Sequence, residues 1–197
     1  NQVGYKLPAM FQLRLRYSGD FQEILFGDDT ESDPLIYHLY WSAITGQLDA
    51  SHLTRAMRKA GASEDSAEEA ASLSLRLTDK GKIHRIFIRM TKGGPLSRFD
   101  GFPDVFCPVF GWVQVAMVLF GDGLLEEQAF LDVLEKADLE PFAVLGFLQD
   151  LWRRGRMTSE QQAGIYELLA LPKPEMVPDL PLSQRADLPK LIERWLE

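Results

Sequence analysis

The sequence predicts an α+β fold: an antiparallel sheet built from two β-hairpins packs against helices, and a helical C-terminal half follows. Three observations lead there. Phe11, Leu13, Leu15 and Tyr17 alternate with Gln12, Arg14 and Arg16, the period of a strand with one buried face. Leu73, Leu75 and Leu77 alternate with Ser74 and Arg76 in the same way. From Asp122 onward, helix start and stop signals follow one another with no strand pattern between them.

In order, the first hairpin is expected over Phe11 to Phe26, with Ser18-Gly19-Asp20 as its turn and Phe21 to Phe26 as its return strand. An acidic loop follows, carrying Asp28, Asp29, Glu31 and Asp33. Asp33-Pro34 reads as a helix start, Asp as N-cap and Pro at the first helical position. The helix it opens, about Leu35 to Thr45, is apolar around most of its girth and so is expected to be largely buried. Gly46 ends it. Asp49 or Ser51 caps a second helix that Gly61 stops near Ala60, and Ser63 to Ala71 reads as a short acidic helix. The second hairpin runs from Leu73 to Met90, with its turn at Thr78 to Gly81; Ile86, Ile88 and Met90 face one way, Arg85 and Arg89 the other.

Residues 91–108 read as one long irregular loop, rich in glycine and proline. The apolar run Phe110 to Phe120 reads as a helix. Helices about Leu124 to Ala137 and Pro141 to Arg154 follow, and Thr158 with Gln161 makes a capping box for another that ends before Pro172. An extended strap with Pro174, Pro178 and Pro181 leads to an amphipathic helix, about Asp187 to Leu196. The expected organisation is one domain over 1–171, sheet-rich in 1–100 and helical in 101–171, with 172–197 as strap and terminal helix.

Composition narrows the function classes. Lys and Arg total 21 and Asp and Glu total 29, for a net charge of −8. That balance disfavours sequence-independent attraction to phosphate backbones and suits a basic protein partner. Cys107 is the single cysteine, set among Val105, Phe106, Val109 and Phe110, so it reads as a buried small hydrophobe, with neither an intrachain disulfide nor a cysteine zinc cluster open to it. No secretory leader pattern is visible near Asn1, and a reducing, cytoplasmic setting is the expectation. Opening on Asn1 rather than Met, the chain reads as a trimmed or renumbered piece of a longer protein. The run Val105 to Phe120 is too short for a membrane span, which needs about twenty residues, and it contains Pro108 and Gly111.

No motif for catalysis survives inspection. His38, His52 and His84 share no metal-ligand spacing; a glycine-flanked nucleophile and a phosphate loop are both missing. Arg153, Arg154 and Arg156 lie between two helices in a helix-turn-helix outline, but the second helix opens Ser159-Glu160-Gln161-Gln162, without the positive start of a recognition helix. The expectation is therefore no cofactor, no metal and no catalytic residue. Two surfaces remain as candidates for contact. One is the acidic loop, Asp28, Asp29, Glu31 and Asp33, for a basic partner. The other is a set of arginines, Arg14, Arg16, Arg76, Arg85 and Arg89, on the outward faces of both hairpins. The favoured function is a non-catalytic protein–protein interaction protein: an inhibitor or immunity-type factor, or a small subunit of an assembly. The alternatives are a nucleic-acid-associated subunit using a basic sheet face, and a hydrolase with a dispersed acidic site.

Overall fold

The segment expected to open the first hairpin is a helix. In the computed structural model, which describes residues 2–17, 21–77, 82–91 and 95–171, α1 spans Gln2–Arg16. Its buried face is Val3, Leu7, Phe11 and Arg14, spaced by four, four and three, which is helical periodicity. The alternating residues do not share a face: Phe11 is fully buried while Leu13 is 53% exposed. The second expected hairpin fails in the same way. Leu73 and Leu75 end α4 (Glu64–Leu75), whose buried stripe is Ala67, Ala70 and Leu73, and Leu75 is left 75% exposed.

Each expected hairpin thus contains one true strand, preceded by the end of a helix. The strands are β1 (Gln22–Asp28) and β2 (Lys82–Arg89), and they pair in parallel, with a bulge between Glu23 and Ile24. A short strand, β3 (Phe106–Val109), lies inside the region expected to be irregular and completes an open, all-parallel sheet in the order β1-β2-β3. The antiparallel sheet of two hairpins is therefore replaced by a parallel one. A parallel pair needs a crossover between its strands. Here that crossover is α2 (Asp33–Ile44), α3 (Ala50–Lys59) and α4.

Local signals start α3 and α4 where expected. Asp49 accepts the His52 N–H as N-cap of α3, and the Ser63 hydroxyl caps α4. For α2 the expected cap is displaced by one residue: Ser32, without a side-chain cap bond, occupies the N-cap position, and Asp33 lies in the first turn with Pro34 after it, its carboxylate taken by Lys6. The α2 helix packs on β1 and β2 and also touches α1 and α3, and α1 and α3 both pack on α4. Gly27 shows how closely α2 sits on the sheet: a Cβ there would lie 2.7 Å from the Asp33 Cβ and from Tyr37 Cε2. Glu23, two pleats away on the same face, accepts the Tyr40 hydroxyl at 2.8 Å. Ile36, Tyr40, Ile86, Ile88, Phe106 and Cys107 are among the buried residues of this unit, which extends to Pro108.

The second compact unit begins at Val109. Its centre is α5 (Trp112–Gly121), contacted by α6 (Glu127–Ala137), α7 (Pro141–Arg153) and α8 (Ser159–Leu168). Contact with three helices matches its sequence, which is apolar on every side: Val113 through Val118 are all buried. The one polar residue among them, Gln114, is hydrogen-bonded at both its amide nitrogen and its carbonyl oxygen. Its amide donates to Asp150 Oδ2 at 2.7 Å and its carbonyl accepts the Phe110 N–H at 2.7 Å. The capping box of Thr158 and Gln161 forms as expected. No helix among the described residues is long and apolar enough to cross a membrane. The strap and the helix expected over 187–196 lie outside the described residues, as do the turn residues 18–20 and 78–81.

Candidate functional site

The two surfaces expected from sequence are taken apart by the fold. In the acidic loop, Asp29 and Asp33 are buried. Asp29 accepts the Thr91 N–H and hydroxyl, both at 2.6 Å, and lies 2.6 Å from the Arg98 guanidinium, which rests over the Phe99 ring. That contact clips the end of β1 to the segment leaving β2. Asp33 pairs with Lys6 of α1 at 2.7 Å, and Glu31 joins the same ammonium at 3.2 Å. The Asp33 hydrogen bond raises the Lys6 pKa, with Glu31 adding to it. Asp28 is held below the usual carboxylate range, first by the Thr30 hydroxyl that donates to it. Tyr37 donates to the Phe26 carbonyl, and burial, reinforced by the Asp33 charge, pushes its phenol up to about 12. These acids tie α1, β1 and α2 together. Among the described residues, no group of three or more His, Cys, Asp or Glu side chains is placed to hold a metal ion.

The arginines do not share a sheet face. Arg14 is turned inward from α1: its guanidinium lies 2.7 Å from Glu23 and over the Phe21 ring. Arg85 and Arg89 do project from one side of β2. Their register partners in β1 are Ile24 and Asp28, so this side carries Ile24, Phe26 and Asp28 beside Arg85, Phe87 and Arg89. It is the side turned away from α2, since Glu23 and Gly27 face that helix. Phe26 stacks on Phe87 there, with ring centroids 5.5 Å apart, and stays 44% exposed.

Arg16 and Arg76 are brought together elsewhere, in a groove between α1 and α4. Its first stretch, about 530 Å³, is lined by Gly4, Tyr5, Pro8 and Ala9 of α1 and by Gly61, Ser63 and Ser66. Its second, about 540 Å³, is lined by Leu15, Arg16, Ser72, Leu73 and Arg76. Gln12 and Glu69 border both stretches and bridge the groove, the Gln12 amide donating to Glu69 at 2.8 Å. The groove exists because small residues line both helices at helical spacing: a Cβ on Gly4 would already touch Ala62 and Ser66 at 3.4 Å. The sequence signal for it lay in the Gly4, Pro8, Ala9 stripe and in Ser63, Ser66 and Ser72, spaced by three and six.

Polarity runs along this groove. At its α1 N-terminal end, Pro8 has no N–H, so the Gly4 carbonyl lacks its α-helical donor. Ser63 and Ser66 bond one another beside it. At the other end stand two exposed guanidinium groups, each just past or at a helix C-terminus, where positive charge is favoured.

In the second unit the arginine cluster is likewise tied down. Arg154 forks onto Asp150, with its Nε 3.0 and 3.1 Å from the two carboxylate oxygens, so that charge is spent within the helical hairpin.

No protein-family model matches the sequence, and comparison with known proteins and with solved structures finds no match either.

Proposed function

We propose that the chain is a non-catalytic protein-binding factor, of the inhibitor or immunity type or a small subunit of an assembly, and that it receives a segment of its partner in the groove between α1 and α4. The supporting observation is the groove itself. It is open, it follows both helices, and it offers a mixed apolar and polar wall in Tyr5, Pro8, Leu15, Gln12 and Ser66. From Ser63 to Arg76 the α4 wall rises about 20 Å, at about 1.5 Å per residue. That length accommodates about six residues of extended peptide at about 3.3 Å each.

The test is a site-specific cross-link. A photoreactive phenylalanine analogue at exposed Tyr5, in the full chain expressed in its native cells, is expected to give one discrete protein adduct. Ala9→Arg, which fills the groove from an exposed position, is expected to abolish that adduct without moving the unfolding midpoint. An adduct indifferent to Ala9→Arg, or no adduct at all, refutes the reading.

A second reading has its own support. Exposed Phe26 beside Arg85 and Arg89 is the pairing of aromatic face and cation that single-stranded nucleic acid uses. Phe26 and Arg89 are the residues that probe it. If the reading holds, oligothymidylate binds in a salt-sensitive way and Phe26→Ala with Arg89→Glu removes the binding. Retained binding in that double variant excludes it.

A further inference from the structure

The two ends of the groove differ in charge, and that difference carries an inference about what the groove selects. Arg16 and Arg76 line the same stretch from opposite walls. Both are exposed, and neither guanidinium has a hydrogen-bond or ion-pair partner among the described residues. Four other cations of this unit are engaged, Lys6 by Glu31 and Asp33, Arg14 by Glu23, Arg58 by Glu64 and Arg98 by Asp29, whereas Arg55, Lys59 and Arg89 are exposed with no side-chain partner among the described residues and line neither stretch of the groove. The one carboxylate bordering the arginine stretch is Glu69, and it is held across the groove by Gln12. In a chain of net charge −8, this stretch presents two guanidinium groups and one occupied carboxylate.

We infer that the Arg16–Arg76 end of the groove is a carboxylate-binding subsite, and that the partner segment received between α1 and α4 is an acidic peptide whose acidic residues lie at this end. The inference rests on the groove reading above and adds to it the chemistry and polarity of the ligand. Guanidinium groups suit the task because their planar donors match a carboxylate in pairs. Both sit at helix C-termini, where the helix carbonyls already favour them, so their position costs the fold nothing when the site is empty. The opposite end offers the Gly4 carbonyl and two serine hydroxyls, which suit the neutral part of the same segment. Nucleic acid is disfavoured here. A phosphate backbone brings charge along its whole length, whereas cations line only one end of this groove.

The probe is a fluorescein-labelled hexaglutamate peptide, titrated with the purified full chain in low salt and read by anisotropy. Inorganic phosphate serves as competitor and an oligothymidylate of twelve residues as comparison. The expected result is saturable hexaglutamate binding that Arg16→Gln with Arg76→Gln weakens by about tenfold or more, the range set by charge-assisted hydrogen bonds. Arg55→Gln, at an exposed arginine of α3 that lines neither stretch of the groove, is expected to leave it unchanged. Amide NMR shifts in the unsubstituted protein provide a readout independent of any variant: Gln12, Leu15 and Ser72 are expected to move on addition of the peptide.

Four outcomes overturn the proposal. These are absence of saturable binding, binding unaffected by the double variant, phosphate competing as effectively per mole as hexaglutamate, and the oligonucleotide binding more tightly through the same two arginines. If the Tyr5 cross-link forms and depends on Ala9 while hexaglutamate fails, the groove reading stands and the acidic-ligand inference falls.

Discussion

Replacing Arg14 with Met tests whether the inward arginine is part of what holds α1 to the sheet. The guanidinium and the Glu23 carboxylate are 6% and 18% exposed and lie 2.7 Å apart, while the Tyr40 hydroxyl donates to the same carboxylate at 2.8 and 3.1 Å. Burial, with the Glu23 charge, raises the Tyr40 phenol well above its ordinary value, so it remains a donor throughout the usual pH range. Met preserves the apolar stem of Arg14 and removes its charge together with the guanidinium donors. Removing one member of a buried pair costs about 3–5 kcal/mol, because the other charge stays behind. Glu23 retains Tyr40 and some water, so the lower end applies, about 3 kcal/mol, and the lost contact with the Phe21 ring falls within that figure. Glu23→Gln in the Arg14→Met background removes the stranded charge. The double variant is therefore expected to recover about 2 kcal/mol relative to additivity, the size of coupling seen for residues in one network. Urea unfolding followed by far-UV circular dichroism gives the totals. Hydrogen exchange of the β1 and β2 amides assigns the loss to the first unit, which is needed because two compact units need not unfold together. A loss below about 1 kcal/mol for Arg14→Met, or a coupling below about 0.5 kcal/mol, would refute the reasoning.

Three further perturbations bear on other parts of the molecule. Gly27→Ala drives a methyl into Asp33 and Tyr37 and is expected to cost about 1–3 kcal/mol by overpacking, with a lowered urea midpoint at unchanged slope; an unchanged midpoint shows α2 free to yield. Gln114→Leu leaves the part-buried Phe110 N–H without its acceptor and should cost about 1 kcal/mol in the thermal stability of the second unit; a neutral result means that this N–H finds another partner. His38, ringed by Trp41, Phe102 and Phe106, has its pKa lowered by burial, so the unfolded chain binds more protons near pH 6 than the folded one does. Its contribution is complete above about pH 6.5 and is lost as pH falls through and below that value. His38→Phe is accordingly expected to flatten the decline in unfolding midpoint between pH 7 and pH 5, and an identical decline in the variant would remove His38 from the account.

Apart from α1, which the sequence pattern presents as a strand, the helices could be read in the sequence because their boundaries are local. Asp49, Ser63 and the Thr158–Gln161 box act on amides three residues away or fewer, so short-range chemistry decides them. The apolar run 110–120 could be read as a helix, and α5 is one. The sheet was only half legible. The residues of β1 and β2 carry strand patterns and were placed correctly, but a parallel partner is chosen by a crossover of more than fifty residues, and nothing in either strand marks its direction. Both errors arose where an amphipathic helix ends. In the last turns of α1 and α4 the core side is already served by Phe11 and Leu73, so Leu13 and Leu75 are free to face water, and an exposed leucine there imitates the second beat of a strand. The helical period is carried by the preceding turns, in the spacing of Val3, Leu7 and Phe11 and of Ala67, Ala70 and Leu73.

The site was harder to read, and for a reason that bears on the proposal. Sequence singled out Arg14, Arg16, Arg76, Arg85 and Arg89 as one surface because each alternated with apolar residues. The fold separates them by one turn of helix here and one sheet face there. Arg14 and Arg16 are two positions apart, which on a strand means the same face and on a helix means about 200° of rotation. That single change of period sends Arg14 into an ion pair with Glu23 and leaves Arg16 at the lip of the groove opposite Arg76. A buried arginine is kept by the fold through its partner, whereas an exposed pair without described partners contributes little to folding and costs little to replace. The two substitutions therefore separate cleanly. Loss at Arg14 registers in stability, by about 3 kcal/mol, and loss at Arg16 with Arg76 registers in acidic-peptide affinity with at most about 1 kcal/mol lost from the two helix C-termini. A chain in which both changes moved the unfolding midpoint equally would show the groove arginines to be structural, and the polarity of the groove would then belong to the fold rather than to a ligand.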